Sequence, residues 1–207
     1  DRDGRVGIME FTQGARRLAH PVVIEQRFRN GDEDFAEQLG RIAQTGADSL
    51  FLLGNPRELG LIVKTARERG MKLPIFGGDR CVHAAFLEAA GDAAEGLVAA
   101  STFNPDREDP AWLDFRRRYV ERFGEEPNAF AAHAYDGISW IVSAVRSAGP
   151  NRARIRDALF ATKAFDGVTG RLELDSTLNN VRKPWLAEVR GGRFHFFRPP
   201  VRGEEVK

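Results

Sequence analysis

SLFLLGNPRELGLIVKTARERGMKLPIFG, residues 49–77, carries the pattern on which the fold turns. Residues 49–54 form a short, uninterrupted apolar run, as in a strand covered on both faces. Pro56 then opens a stretch in which Leu59, Ile62, Val63 and Ala66 recur at helical spacing, and Gly70 closes it. Residues 74–77 (PIFG) return to strand character. Strand, helix and strand with short connections make the unit of a parallel sheet, because parallel neighbours need a crossover and a helix is the usual one.

The pattern repeats on both sides. Toward the C-terminus, a helix over about residues 82–90 ends near Gly91, and residues 96–102 (GLVAAST) read as a strand. Toward the N-terminus, Asp34 caps a helix with Glu37 three residues on; Phe35, Leu39 and Ile42 share one face, and Gly46 supplies the stop. Residues 5–11 (RVGIMEF) and 22–28 (VVIEQRF) read as two more strands around a brief helical stretch at 12–18. The expectation is a doubly wound α/β unit with a parallel sheet.

After Phe103 the pattern changes. Residues 104–109 are polar, and three helices follow without an intervening strand. Asp109 caps and Pro110 opens the first, whose Trp112, Phe115, Tyr119 and Phe123 make an aromatic stripe read as core packing. Pro127 and Asn128 open the second, with Phe130, Ile138, Ile141, Val142 and Val145, and Gly149-Pro150 stops it. Asn151 opens the third, with Ile155 and Leu159. Strands return at 170–175 and 185–189, the latter paired through Gly191-Gly192 with 194–197 as a hairpin. The charged tail 202–207 is expected to be disordered.

Composition excludes several functions. With 31 Lys and Arg against 30 Asp and Glu, the net charge is +1, too small for a strong pull toward nucleic acid or anionic lipid. No apolar run is long enough to span a bilayer. One cysteine, Cys81, excludes an intramolecular disulfide and a zinc site of paired thiolates, and the four histidines lack metal-ligand spacing, so neither metal nor cofactor is expected. The chain opens at Asp1 with no initiator Met and no signal segment, as a cut end would. Gly-x-Ser-x-Gly, the phosphate-binding Gly-rich loop and His-Glu-x-x-His are all absent, and no enzyme activity is expected. Cys81 reads as a buried structural thiol rather than a nucleophile, and Arg116 to Arg118 as a solvated helix face rather than an anion site. Parallel sheets bind ligands at the carboxyl ends of their strands. Two such ends carry polar residues after glycine, Gly54-Asn55-Pro56 and Gly77-Gly78-Asp79-Arg80. Ordinary turn chemistry accounts for the same residues, so spacing alone leaves both readings open.

The ordered series FRNGDEDFAEQL (28–39), LGNP (53–56), ARERGMKLPIFGGD (66–79), AGDAAEG (90–96), FGEEPNAFAA (123–132), AYD (134–136) and FDGVTG (165–170) resembles the branched-chain amino acid (Leu/Ile/Val) binding proteins of ABC importers. These are type I periplasmic solute-binding proteins. The resemblance implies two Rossmann-like lobes joined by a hinge, closing without catalysis on an amino acid or similar small polar solute in the interlobe cleft. It also implies an ABC permease as partner and a periplasmic or extracytoplasmic location. A ligand-sensing domain of a receptor or regulator is the alternative. In these terms residues 1–103 form a Rossmann-like ligand-binding lobe, 104–175 a helical segment of an incomplete partner lobe, and 176–207 strands returning to the first lobe plus the tail. Phe11 falls where members often have a Tyr against the ligand, Asn55 where a Tyr can occur, and Asp79 where an acidic residue accepts the ligand's ammonium, with Arg80 beside it. Phe11 and Asn55 depart from the leucine-type pattern. By this resemblance the chain is expected to start after the N-terminal part of the first lobe, and residues 11–22 to be shorter than the family pattern by about two helical turns. Helices that would cover that part make a second copy of the chain a further candidate partner.

Overall fold

The computed structural model describes residues 2–177 and 179–199. In chain order the elements are α1 (Arg2–Arg17), α2 (Ala36–Ala43), β1 (Leu50–Leu52), α3 (Pro56–Glu68), β2 (Ile75–Gly77), α4 (Ala84–Ala90), β3 (Val98–Ser101), α5 (Pro110–Phe123), α6 (Ala129–Ala148), α7 (Arg152–Ala161), β4 (Ala164–Gly167), β5 (Gly170–Glu173), β6 (Trp185–Arg190) and β7 (Arg193–Phe197). They sort into two compact units, Asp1–Ser101 with Trp185–Lys207, and Thr102–Pro184. The tail expected to be disordered, 202–207, lies outside the described residues.

In the first unit one sheet has the order β1-β2-β3-β6-β7. β1, β2 and β3 are parallel, and β6 and β7 join antiparallel. The fold is mixed α/β, with the parallel strands on one side of the sheet, as the strand and helix alternation indicates. Leu59, Val63 and Ala66 of α3, at the predicted spacing, are fully buried with Phe35, Leu39, Ile75 and Phe86. The β6–β7 hairpin turns through Gly191 and Gly192, both with positive φ (56° and 73°), the backbone that matches the twist of paired strands.

Two expected strands are absent. Residues 5–11 lie inside α1. The alternation of Val6 and Ile8 suggested a strand, but Gly4, Ile8, Phe11 and Ala15 recur at helical spacing and turn inward, while Val6 and Met9 are exposed. Residues 22–28 belong to no strand although their exposure alternates with a period of two, Val22, Ile24, Gln26 and Phe28 in and Val23, Glu25 and Arg27 out. The side-chain pattern is that of a strand; a strand also needs a ladder, and no backbone partner reaches these residues among those described.

The second unit packs Phe103, Trp112, Phe115, Ala132 and Val168 together, so the aromatic stripe of α5 is core as far as Tyr119, and only Phe123 is largely exposed. Asn128 and Asn151 cap α6 and α7 by accepting from Ala131 N–H (3.0 Å) and from Ala153 and Arg154 N–H (3.1 and 3.2 Å). Asp109 makes no such cap. Its carboxylate is taken by the Arg107 guanidinium at 2.5 Å. β4, not foreseen from the sequence, pairs antiparallel with β5. The buried Asp136 on α6 accepts from Val168 N–H (2.6 Å), Thr169 N–H (2.9 Å) and Thr169 Oγ1–H (2.6 Å). It thereby fastens the β4–β5 turn to α6. A Cβ on Gly167 would collide with that carboxylate, which is why glycine stands there.

Candidate functional site

The carboxyl ends of β1 and β2 are neighbours because the two strands pair in parallel, Leu52 opposite Gly77. Asn55 follows β1 as the residue before α3, and Asp79 and Arg80 follow β2 in a single 3₁₀ turn, Asp79–Cys81. Arg80 donates from its guanidinium to Asn55 Oδ1 at 2.6 Å. Asn55 in turn donates through Nδ2 to Asn30 Oδ1. Asp79 is exposed, and among the described residues no hydrogen bond or ion pair reaches its carboxylate. Arg80 is directed to Asn55 instead.

Sequence reasoning missed Asn30, because a contact across 25 residues leaves no local signal. What positions it is legible only in three dimensions. Glu58, buried in the first turn of α3, accepts from Gly31 N–H at 2.8 Å, and Arg57 pairs with Glu33 at 2.5 Å. These contacts tie the 29–33 turn to the start of α3. A carboxylate there is favoured by the helix N-terminus.

The glycines before the polar residues serve packing. A Cβ on Gly54 would meet the Phe28 ring, one on Gly77 the Cys81 side chain, and one on Gly78 would come within 2.8 Å of Leu53 Cδ2. The space they clear is filled by the protein's own side chains. Phe11 stands apart from Asp79 and Arg80. Its ring stacks on Phe51 of β1, centroids 3.8 Å apart, and it lines a cavity of about 750 Å³ that Asn30 and Asn55 also border.

A family profile described as periplasmic binding protein matches residues 2–193. The chain belongs to that family. Among its curated relatives, the Leu/Ile/Val-binding protein homolog 2 of Brucella abortus is 26% identical over 174 residues, 81% of this chain and 46% of the relative. Homolog 1 of the same organism is 28% identical over 147 residues, 70% of this chain and 39% of the relative. Of the solved structures, a leucine-binding protein LivK from Thermotoga maritima superposes with a TM-score of 0.83 at 28% identity, covering 94% of this chain and 56% of that one. The branched-chain amino acid substrate-binding protein LivJ of Streptococcus pneumoniae, in complex with isoleucine, gives 0.75 at 29% identity, covering 90% and 56%. The chain therefore spans about half the length of the relatives it matches.

The other candidate residues of the chain have structural roles. Cys81 is fully buried, and burial pushes its thiol up to about 12, with the nearby Asp79 charge adding to the shift. His83 caps α4, its Nδ1 accepting from Ala85 N–H at 3.1 Å. Arg116 pairs with Glu126, Arg117 with Asp114 and Glu121, and Arg118 with Asp114, so the three arginines sit in exposed ion pairs. No helix among the described residues is long and apolar enough to cross a membrane.

Proposed function

We propose that this chain is part of the substrate-binding component of an ABC importer, and that it binds an amino acid or similar small polar solute outside the cytoplasmic membrane. Binding is non-catalytic, the ligand is enclosed in an interlobe cleft of the complete protein, and a membrane permease receives it. The observation that carries this reading is the placement of unlike charges side by side after β2, next to Asn55 at the neighbouring end of β1, in a chain of this family. Asp79 presents an exposed carboxylate that no hydrogen bond or ion pair reaches among the described residues, and the neighbouring Arg80 is anchored on Asn55. An α-amino acid is a zwitterion, and this arrangement offers Asp79 to its ammonium and Arg80 to its carboxylate. Resemblance to the relatives named above supports the solute class. In the resemblance Phe11 is an aromatic contact to the ligand; here one face of its ring is already taken by Phe51.

Titration with isoleucine and with a panel of other amino acids, followed by amide chemical shifts, tests the site. A ligand should move the Asn55, Asp79 and Arg80 amides together. Asp79→Asn keeps the shape and removes the charge; loss of one charge-assisted hydrogen bond should weaken binding by about tenfold or more with little change in melting temperature. Unchanged affinity in that variant, or shifts that avoid all three residues, would overturn the assignment.

A further inference from the structure

Three side chains of the first unit form a polar row that runs on from Arg80. The Arg80 guanidinium donates to Asn55 Oδ1 at 2.6 Å, and Asn55 Nδ2 donates to Asn30 Oδ1. The row has one direction only. A guanidinium has donors and no acceptor, so Asn55 must meet it with oxygen; the Asn55 nitrogen is then left for Asn30, which must answer with oxygen in turn. Asn30 therefore ends the row with its Nδ2 donor and one Oδ1 lone pair uncommitted among the described residues. Its side chain is exposed, yet the backbone around it is held: Asp32 accepts from Arg29 N–H at 2.7 Å, Glu58 accepts from Gly31 N–H at 2.8 Å, and Arg57 pairs with Glu33. A polar group fixed in advance loses little freedom when a ligand meets it.

We propose that Asn30 reads the ligand's side chain, and that the solute is an amino acid whose side chain ends in a primary amide, as in glutamine or asparagine, rather than a branched aliphatic one. The inference rests on the function proposed above, in which Asp79 and Arg80 match the two charges of the zwitterion. What the row adds beyond those charges is a neutral amide. Two primary amides pair through two hydrogen bonds, each donating from nitrogen and accepting at oxygen, and Asn30 has both groups to give. A carboxylate side chain accepts from Nδ2 but sets its second oxygen against Oδ1, and it brings a charge that Asp79 and Arg80 leave uncompensated. An aliphatic side chain strips water from the Asn30 amide and returns no hydrogen bond. The site so described favours the partner that leaves no polar group unmatched, which is how a hydrogen-bonding site rejects an analogue of similar size.

The test titrates the full chain with glutamine, asparagine, glutamate and isoleucine, following backbone amide shifts and the side-chain NH₂ signals of Asn30 and Asn55. Glutamine or asparagine should bind about tenfold or more tightly than glutamate and isoleucine and should move the Asn30 NH₂ signal. Asn30→Asp still accepts from Asn55 but has no donor, and Asn30→Ala has neither group; in both, the preference for the amide ligand over isoleucine should fall by about tenfold, with melting temperatures showing that the variants are folded. Isoleucine binding as tightly as glutamine, with shifts at Asp79 and Arg80, overturns this inference and leaves the amino acid site standing. Equal loss of glutamine and isoleucine in the Asn30 variants also overturns it, because Asn30 would then serve only to hold Asn55 and Arg80. Binding of no amino acid overturns both this inference and the function on which it rests.

Discussion

Asp136 shows how much one buried side chain can hold. It is 1% exposed and receives three donors from Val168 and Thr169, across 32 and 33 residues of sequence. Removing the acceptor leaves two backbone N–H groups buried and unpaired, each worth about 1 to 3 kcal/mol. Asp136→Ala should therefore cost about 3 kcal/mol or more in urea unfolding. Asp136→Asn should recover only part of that, because an amide NH₂ cannot accept from the donors on its side. Cys81 gives a second expectation at this scale. A fully buried thiol whose pKa is pushed up to about 12 holds almost no thiolate at neutral or mildly alkaline pH. It should resist a thiol reagent at pH 8 in the native chain and react at once in denaturant, and fast reaction without unfolding would contradict the packing around Gly77.

At the scale of elements, the β6–β7 hairpin depends on two consecutive left-handed residues. Gly192→Ala should destabilise the first unit by about 1 kcal/mol, the usual penalty for a Cβ in that conformation, readable in thermal unfolding. The legibility of the elements follows their chemistry. α3 was readable because its apolar face, its Pro start and its glycine stop agree, α5 for the same reason, and α6 and α7 because an asparagine cap marks each start. Residues 5–11 satisfy a period of two and a period of 3.6 at once over so short a run, and only the inward row Gly4, Ile8, Phe11, Ala15 decides for α1. β4 is four residues long and of mixed character, too short to show a period, and its partner β5 supplies what its own sequence lacks. In the candidate site, Asn55, Asp79 and Arg80 were found because strand ends are marked by glycine. The link between Asn55 and Arg80, and the presence of Asn30, depend on which strands neighbour one another, which no local pattern states.

At the scale of the whole molecule, the helices of the second unit leave apolar side chains uncovered. Phe130 is 68% and Ile138 63% exposed on α6, with Ile141 and Val142 also exposed, and Phe160 of α7 joins them among the exposed residues. Where such side chains adjoin on a surface they drive association. The chain by itself should bind a hydrophobic dye or sediment as a dimer or larger species, and a monodisperse monomer without dye binding would show that these side chains are tolerated singly. The pairing of Ser101 with Trp185 has a consequence for synthesis. β3 leaves the ribosome long before β6 exists, so its edge must wait while all of residues 102–184 are made. Arg182 donates to the Thr102 carbonyl at 2.5 Å, which draws the two ends of the second unit together. Once that unit has folded, the loop between β3 and β6 is already short in space, and the entropic cost of closing it no longer grows with the number of residues inserted. The second unit then takes the place of the turn in a very large hairpin, and folding it first lowers the cost of joining the strands that flank it.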